Sequence, residues 1–457
     1  MIRRDIDWRS PLDAFAPLAG EPHAFLLQAG EAARDPGWAI LAAFPEAVLT
    51  AREGTAFLGG ARLDEAPFAA LKKLAAARRL SDGAETGAPF STGLVGYIGY
   101  EMGGALEPAG AGPASPFDLA DMAFGAYDAA ALFDRKSRRA FILARTQIAA
   151  ERLKEALGVA AVAAPEPLGG VGGVGSNFDA GAYRQAVAGV IELIRAGALF
   201  QANLAQQLTV EDVVSPYEVF QRLMQGDAAF GACLQYPEGT IVSNSPERFF
   251  SLTPLGDAMR LLAEPIKGTR ARGENAAEDA RLAAELLADP KERAENVMIA
   301  DLTRNDLSRV CRDGSIREEA ICELSTLASV HHLVSRISGV LNPGLGPVDV
   351  IEALFPCGSI TGAPKIEAMK TIAEVEKTGR GPYCGAIGYL DDRGGADFSV
   401  AIRTMIIEGR RATVPVGGGV TLRSDPQAEY RETLVKARAM LGALGVDANV
   451  IAQAGAT

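Results

Sequence analysis

The chain has 457 residues, of which 48% are apolar, enough to bury one large elaborated domain or two or three smaller ones. Its formal net charge of -12 leaves no broad basic surface, which argues against nucleic acid or an acidic membrane as the partner but allows a local pocket for a small anion. The five cysteines are scattered without metal-ligand spacing, and the N-terminus has no apolar stretch of signal-peptide or membrane-spanning length. We therefore expect a protein of the reducing cytoplasm.

The first part of the chain, 1–158, mixes Ala-rich helical stretches such as 65–80 with short strand-like runs such as 140–144. Within it, 93–101 contains spaced glycines that allow two backbones to approach closely. A phosphate-binding loop is the alternative interpretation, although the spacing matches neither a dinucleotide-binding nor a Walker pattern. We predict an N-terminal region with few converging polar groups.

Residues 159–177 are mainly Ala, Pro and Gly, which is typical of a linker. After it, Asp179 is placed to cap a helix that ends at Gly197 and whose apolar residues share one face: Tyr183, Val187, Val190, Ile191 and Ile194. From 178 to 447, strand-like runs (239–243, 398–407, 413–416) alternate with helical ones (277–287, 364–376, 428–444), and 448–457 form a tail. Neighbouring strands joined by a turn at 391–395 favour antiparallel pairing, so we expect the α+β class.

Two Glu-x-x-Glu spacings, Glu292/Glu295 and Glu429/Glu432, lie in stretches that indicate helix. Residues three apart share one helical face, so each pair can direct two carboxylates at one point. If the two helices face each other, the four carboxylates repel one another unless a cation neutralises them, and all-oxygen ligands favour Mg²⁺. The alternative is two solvated helix faces without a ligand.

Several other groups suit a small anion. Lys436 lies one turn beyond Glu432, and Arg403 lies in a run that indicates a buried strand, where a guanidinium needs an anionic partner. Gly418 and Gly419 would let backbone amides touch a ligand, with a plain turn as the alternative. Thr361 is placed to cap a helix whose free N–H groups would hold a carboxylate.

Lys267 is the strongest candidate for a reactive group, because it lies between a rigid Pro265 and a flexible Gly268. Near Arg270, Arg272 or Mg²⁺ its neutral form would be favoured, as a nucleophilic lysine requires. The alternative is a surface lysine in a turn.

Together these motifs resemble the chorismate-utilising enzymes, which include the large components of anthranilate and aminodeoxychorismate synthases and, more distantly, isochorismate and salicylate synthases. The resemblance rests on Ser245-Pro246-Glu247-Arg248 and on 265–270, 294–301, 332–335, 362–365, 381–385 and 429–433. It covers about 183–444, and 93–101 resembles the N-terminal region of the same large components. The resemblance implies large, mostly antiparallel β-sheets stacked as a sandwich and flanked by helices, with 178–447 as the chorismate-binding catalytic region.

The resemblance also implies roles for single residues. Glu295 and Glu432 match direct Mg²⁺ ligands, and Glu292 and Glu429 the pair beside them. Glu247 matches the general acid that protonates the departing C4 hydroxyl of chorismate. The positions that bind carboxylate groups or line the same pocket are matched by Tyr383, Arg403, Lys436, Gly418, Gly419, His332 and Thr361.

Two positions discriminate between reactions within the family. Gln201 stands where isochorismate and salicylate synthases carry a water-activating lysine, so water addition is disfavoured. Lys267 gives the Pro-Ile-Lys-Gly-Thr form that resembles aminodeoxychorismate synthases, whereas anthranilate synthases usually have alanine there. The resemblance thus implies conversion of chorismate and ammonia to 4-amino-4-deoxychorismate through a covalent Lys267 intermediate, in 4-aminobenzoate and folate synthesis. The alternatives are an anthranilate synthase large component and a non-catalytic family member.

The source of ammonia and the binding of tryptophan can also be addressed. No Gly-x-Cys-x-Gly nucleophile elbow surrounds any cysteine, so a separate glutamine amidotransferase subunit is implied as the partner. At 26–29 the chain has Leu-Leu-Gln-Ala, where tryptophan-binding relatives often have Leu-Leu-Glu-Ser or Leu-Leu-Asp-Ser. This difference argues against a bound tryptophan.

Overall fold

The computed structural model describes residues 1–31, 37–80, 87–159, 173–213, 215–226, 228–327 and 330–446. The predicted tail at 448–457 and most of the predicted linker at 159–177 lie outside these residues. Within the described ranges, no helix is both long and apolar enough to cross a membrane.

Up to residue 159, the described chain forms strands β1 (Ile2–Ile6), β2 (Phe25–Gln28), β3 (Trp38–Ala42), β4 (Ala47–Arg52), β5 (Thr55–Leu58), β6 (Ala61–Arg62), β7 (Gly93–Ile98), β8 (Met122–Tyr127), β9 (Ala129–Asp134) and β10 (Arg139–Ala144). The helices of this part are α1 (Pro11–Phe15), α2 (Pro67–Arg78), α3 (Met102–Leu106) and α4 (Gln147–Gly158).

From residue 173 onwards, the strands are β11 (Val174–Ser176), β12 (Gln201–Val210), β13 (Phe230–Gln235), β14 (Thr240–Ser245), β15 (Arg248–Leu255), β16 (Ala258–Glu264), β17 (Ile266–Ala271), β18 (Arg317–Thr326), β19 (Val330–Val340), β20 (Gly362–Ala363), β21 (Ala386–Asp391), β22 (Ala396–Val400), β23 (Thr404–Glu408) and β24 (Arg411–Thr421). The helices are α5 (Ala180–Arg195), α6 (Pro216–Leu223), α7 (Ala276–Ala288), α8 (Pro290–Ser308), α9 (Pro347–Leu354), α10 (Lys365–Glu376) and α11 (Pro426–Ala443).

The strands form two twelve-stranded antiparallel sheets, which confirms the predicted α+β class. The first sheet has the order β1-β10-β9-β3-β2-β13-β14-β23-β24-β12-β11, with β20 also paired to β12. The second has the order β17-β19-β16-β15-β22-β21-β7-β8-β4-β5-β6, with β18 paired to β19. Because β2 pairs with β13 and β7 with β21, the predicted N-terminal and catalytic regions share both sheets.

The two sheets stack face to face around an apolar core that strands of both supply, including Phe25, Tyr97 and Ile387. Leu26, which follows Phe25, belongs instead to the core between the first sheet and its helices. Successive strand residues point to opposite faces. Both faces of these strands are therefore buried, which explains their continuous apolar runs.

Several local predictions are confirmed. Asp179 caps α5 by accepting a hydrogen bond of 2.7 Å from Ala182 N, and Gly197 follows the helix with φ +82°. The five apolar residues predicted for one face of α5 are all buried. Strand β7 takes up 93–98 of the glycine-rich run 93–101, which is not a phosphate loop, because a Cβ on Gly96 would lie 1.8 Å from the carbonyl oxygen of Ala123 on the neighbouring strand.

One predicted strand is wrong. The run 398–407 is not continuous, because β22 ends at Val400 and β23 begins at Thr404. Arg403 lies in the break with φ +49°, half-buried rather than within a buried strand. The break is the point at which the chain leaves the second sheet and enters the first.

Candidate active site

Two of the predicted site residues, Glu247 and Arg403, lie where the chain passes from one sheet to the other. β14 of the first sheet leads into β15 of the second through 246–247, and β22 leads back into β23 through 401–403. Backbone hydrogen bonds join the two crossings: Asn244 N donates to Arg403 O at 2.9 Å, and Val400 N donates to Glu247 O at 3.0 Å. Glu247 and Arg403 are thereby fixed at the same corner of the sandwich.

Glu247 is 3% exposed, and two groups donate to one of its carboxylate oxygens. Ser359 Oγ donates to Oε1 at 2.6 Å, and Ile266 N donates to the same atom at 3.5 Å. Burial raises the pKa of Glu247 to about 7, although the Ser359 hydrogen bond and the charge of Lys267 oppose the rise. A carboxyl with that pKa can hold and release a proton near neutrality, as a general acid must.

Lys267 lies on β17, and its amine lies near the side-chain amide of Gln201. A Cβ built on Gly419 would lie 3.4 Å from Lys267 Nζ and 2.6 Å from Gln201 Nε2, so both side chains reach the same glycine. Gln201 is fully buried, and within the described ranges neither atom of its amide group has a hydrogen-bond partner. The Lys267 amine and an amide without partners therefore face one space beside β24.

The four predicted carboxylates lie on α8 and α11, around Lys267. Burial raises the pKa of Glu295, the charges of Glu292 and Glu432 add to the rise, and the Lys267 charge opposes it. Burial also opposes ionisation of Glu432, but the charge and hydrogen bond of Lys436 outweigh it and lower the pKa of Glu432. Glu429 is therefore buried and Glu295 partly buried between the two helices, whereas the Glu432 side chain is 52% exposed and Glu292 lies 3.6 Å from Arg270.

Glu429 approaches β24. A Cβ on Gly418 would lie 3.0 Å from Glu429 Oε2 and 3.7 Å from Glu432 Oε1. Ser424 Oγ donates to the other oxygen of Glu429 at 2.6 Å. Lys436 Nζ lies 2.8 Å from Glu432 Oε1 and donates to the carbonyl oxygen of Gly417 at 2.9 Å, so it binds protein groups on both sides.

The donor set can be compared with the requirements of Mg²⁺. All four predicted ligands are carboxylates, and Glu295 Oε1 is buried without a hydrogen-bond partner, with Lys291 Nζ 3.8 Å away. These features fit a hard, oxygen-ligated cation. Among the described residues, however, no group of three or more such side chains is already close enough to enclose an ion. The residues fit Mg²⁺ in donor type, and Glu432 would have to exchange its lysine partner to join such a centre.

His332 and Thr361 lie on segments paired with the strands that carry Lys267 and Gln201. His332 is buried on β19 opposite Thr269, whose Oγ1 lies 2.9 Å from its Nδ1. Thr361 is buried near the start of β12, because its carbonyl oxygen accepts a hydrogen bond of 2.9 Å from Asn203 N. The prediction that Thr361 caps a helix is wrong, since its hydroxyl donates to Cys357 O and Pro364 precedes the first residue of α10.

Tyr383 lies in the segment before β21. It is 3% exposed, and burial raises the pKa of its hydroxyl well above the ordinary value. Its neighbour Cys384 donates its backbone N–H to Ala401 O at 2.8 Å, which places Tyr383 close to the crossing that carries Arg403.

One alternative and one expectation from the sequence are not met. The three glycines at 417–419 do not form a turn but lie within β24, opposite 203–205 of β12. The arginines expected to influence Lys267 are paired with other groups, Arg270 with Asp289 at 2.9 Å and Arg272 with Asp279 at 2.7 Å. Because carboxylates neutralise both guanidinium groups, the charges that act around Lys267 are chiefly carboxylates.

Sequence reasoning did not single out three residues that hold the site together. Ser359 binds Glu247, and Asn296 Nδ2 donates to Lys267 O at 3.3 Å and to Leu333 O at 2.9 Å. Arg380 is 1% exposed, lies 2.6 Å from Glu376 and donates to Asn203 O at 2.7 Å. Asn296 lies in the motif 294–301 and Ser359 just before the motif 362–365, but nothing local indicates which distant groups they bind.

Comparison with known proteins places the chain in a family. The family described as chorismate binding enzyme matches residues 23–442. An aminodeoxychorismate synthase of Streptomyces pristinaespiralis is 39% identical over 79% of this chain, which spans about half (52%) of that relative. An anthranilate synthase component 1 of Mycobacterium tuberculosis is 35% identical over 98% of this chain and 93% of that protein.

A solved structure agrees in fold. The anthranilate synthase component I of Streptococcus pneumoniae superposes with a TM-score of 0.79 at 31% identity, covering 88% of this chain and 92% of that one. Relatives named for two different reactions, aminodeoxychorismate and anthranilate synthesis, are thus similar to this chain in sequence identity. What they share with this chain is the family: the protein belongs to the chorismate binding enzymes.

Proposed function

We propose that this chain is the large component of an aminodeoxychorismate synthase, which converts chorismate and ammonia to 4-amino-4-deoxychorismate. The observation that carries the proposal is the position of Lys267, whose charge acts on Glu247, a buried carboxyl with a pKa of about 7. A nucleophile whose charge reaches a proton donor suits displacement of a hydroxyl group.

The first step needs a neutral amine on Lys267 and a proton on Glu247. Transfer of one proton from the ammonium to the carboxylate meets both conditions at once. Because the pKa of Glu247 is about 7, the carboxyl can accept that proton near neutral pH. The pair then holds the same total charge as before, so no external base is required.

The proposed reaction proceeds in two displacements. Lys267 Nζ forms a bond to C2 of chorismate, the ring double bonds shift, and the C4 hydroxyl departs as water with the proton of Glu247. Ammonia then attacks C4, the double bonds shift back, and the C2–N bond breaks so that the lysine amine is regenerated. The ammonia nitrogen gives one proton to the Glu247 carboxylate, which restores the acid, and the pyruvate unit stays on the ring. Dividing one displacement into two is the usual advantage of covalent catalysis.

Mg²⁺, when bound by Glu295 and Glu432 with Glu292 and Glu429 beside them, would neutralise the carboxylates and hold the ring carboxylate of the substrate. The other groups proposed to bind or surround chorismate are Tyr383, Arg403, Lys436, His332, Thr361 and the amides of Gly418 and Gly419. Gln201 cannot act as a base towards water, which favours ammonia as the incoming group. We propose a separate glutamine amidotransferase subunit as the source of that ammonia.

Anthranilate synthase activity is the second candidate, because a component 1 of that enzyme matches 98% of the chain at 35% identity. The two reactions share chorismate but differ in their products. Only anthranilate synthesis releases pyruvate, so product analysis separates them.

The test is to incubate the purified chain with chorismate, Mg²⁺ and an ammonium salt at mildly alkaline pH and to identify the products by mass spectrometry. We expect aminodeoxychorismate from the wild type, loss of the product in Lys267→Ala, and full activity in Lys370→Ala, which removes an exposed lysine of α10. Anthranilate with pyruvate would reject the proposal in favour of the second candidate. Absence of any product would favour a non-catalytic family member.

A further inference from the structure

A small cavity lies beside Arg380. Its volume is about 20 Å³, and its lining includes Tyr100, Glu101, Met369, Ile372 and Arg380. A space of this size holds one molecule about as large as water. None of the groups proposed to bind chorismate lines it.

Two buried polar atoms in this lining have no hydrogen-bond partner within the described ranges: Glu101 Oε2 and the hydroxyl oxygen of Tyr100. The other carboxylate oxygen of Glu101 is well satisfied, because Oε1 accepts from Arg380 N at 2.6 Å and from Gly381 N at 3.2 Å. Buried polar atoms in folded proteins are nearly always hydrogen bonded. The described residues therefore leave room for a small hydrogen-bonding partner at these two atoms.

The charges around the cavity favour a cation. Arg380 is committed to Glu376 through two hydrogen bonds, of 2.6 and 2.9 Å, and its guanidinium stacks 4.7 Å from the centre of the Tyr100 ring. Among the ion pairs of the described residues, none includes Glu101. A buried carboxylate without a cation is costly. A water-sized cation with several N–H donors would satisfy its charge and both unpaired oxygens.

We propose that the cavity at Tyr100 and Glu101 is a binding site for ammonium, held by Glu101 Oε2 and the Tyr100 hydroxyl. The inference that this site holds the nitrogen substrate before it reacts rests on the proposed function, in which ammonia attacks C4. Arg380 donates to Asn203 O, two residues from Gln201, and its guanidinium lies 6.0 Å from the ring of Tyr383. Arg380 therefore connects the lining of the cavity with the strand that carries Gln201 and with Tyr383.

Ammonia can leave the proposed site through a single proton transfer. Ammonium gives one proton to the Glu101 carboxylate and leaves as ammonia, the form that can attack carbon. Burial raises the pKa of Glu101 to about 7, so its carboxylate can accept this proton near neutrality. No other reactant is needed.

Thermal unfolding of the full chain tests the site without any assay of the reaction. At pH 8 we expect ammonium chloride, compared with sodium chloride at equal ionic strength, to raise Tm by on the order of 1–2 °C in a saturable manner. Glu101→Gln should abolish the difference and Tyr100→Phe should reduce it, whereas Glu374→Gln, an exposed carboxylate of α10, should retain it. Equal Tm curves in the two salts for the wild type would overturn the site.

A second arm uses the wild type alone, in case Glu101→Gln does not fold. The charged and titratable groups near Glu101 are Asp121, whose charge adds to the rise in its pKa, the paired Arg380, and Tyr100. Of these, Arg380 and Tyr100 keep their protons below pH 8. The ammonium-dependent rise in Tm should therefore fade as the pH drops through about 7, and an undiminished rise at roughly pH 5.5 would contradict the proposal.

Kinetics connect the site to the reaction. Glu101→Gln should raise the KM for ammonium about tenfold and leave the KM for chorismate unchanged. If aminodeoxychorismate is formed but Tm shows no preference for ammonium, the ammonium site is rejected and the proposed function stands. If the chain forms anthranilate yet shows the preference for ammonium, the site stands and the proposed function is rejected.

Discussion

The Ser359 hydroxyl donates a 2.6 Å hydrogen bond to Oε1 of Glu247, 112 residues away in the sequence. The Ile266 amide donates to the same oxygen, so Oε2 is the atom left to carry a transferable proton. Ser359 therefore orients the carboxyl and also limits the rise in its pKa. It acts as a positioning residue for the proposed general acid.

Replacing Ser359 by alanine should change the pH dependence of the reaction. Loss of the hydrogen bond removes a group that lowers the pKa of Glu247, so this pKa rises further above about 7. Activity that depends on protonated Glu247 falls as the pH passes its pKa, and this limb of the kcat/KM profile should move to higher pH. We also expect kcat to fall about 10–100-fold, because the carboxyl is less well oriented. Ser308→Ala, at the exposed end of α8, is the control, and an unmoved limb would contradict the role of Ser359.

Glu247→Gln should be less active but more stable at alkaline pH. Loss of the general acid should lower kcat about 10²–10⁴-fold. The pKa of Glu247 is about 7 in the fold against an ordinary 4.5, so the folded state binds the proton more tightly and stability is lost as the pH rises between these values. The loss amounts to about 3 kcal/mol. Tm of the variant relative to wild type should therefore be higher at pH 8 than at pH 5. A constant difference would mean that Glu247 titrates normally.

Asn296 should prove to be a positioning residue for Lys267. Its amide donates to the carbonyl oxygens of Lys267 and Leu333, which ties α8 to β17 and β19. Asn296→Ala leaves the buried Leu333 carbonyl without this donor and should cost about 1–3 kcal/mol of stability. It should also lower kcat more than it raises the KM for chorismate, because the lysine is displaced while the anion-binding groups remain. Asn305→Ala, exposed on the same helix, should change neither quantity, and an equal effect of both variants would show that only helix stability matters.

Local patterns predicted much of the fold. The Asp179 cap, the buried face of α5 and the paired carboxylates on α8 and α11 all depend on spacings within one helix, which the sequence displays directly. The break at Arg403 was missed, because it is imposed by the change of sheet and not by the residues of the run itself.

The groups that complete the site were less accessible to sequence reasoning. The contact between Ser359 and Glu247 and the pairing of Arg270 and Arg272 with acidic side chains connect separate elements and depend on how these pack. The glycines at 417–419 were compatible with a turn or a strand, and only the pairing of β24 with β12 decides between them.

The glycines of β24 offer the most direct test of the space around Lys267. A methyl group at Gly419 would lie 3.4 Å from Lys267 Nζ and only 2.6 Å from Gln201 Nε2. The shorter distance is less than two atoms in contact allow, so the Gln201 side chain would have to move. Both contacts are with the ends of side chains, so Gly419→Ala should fold with a cost of only about 1–3 kcal/mol. Because the displaced groups are Gln201 and the proposed nucleophile, kcat should fall at least about tenfold.

Gly442→Ala is the matched control for this change. Gly442 lies near the end of α11, exposed, with nothing within 4 Å of an added Cβ. Alanine there should leave activity unchanged and stabilise the helix by about 0.5–1 kcal/mol. Steady-state kinetics and Tm of both variants make the comparison. If Gly419→Ala kept full activity, Lys267 would have room to move without consequence, and the close approach of Lys267 to β24 would have no part in the reaction.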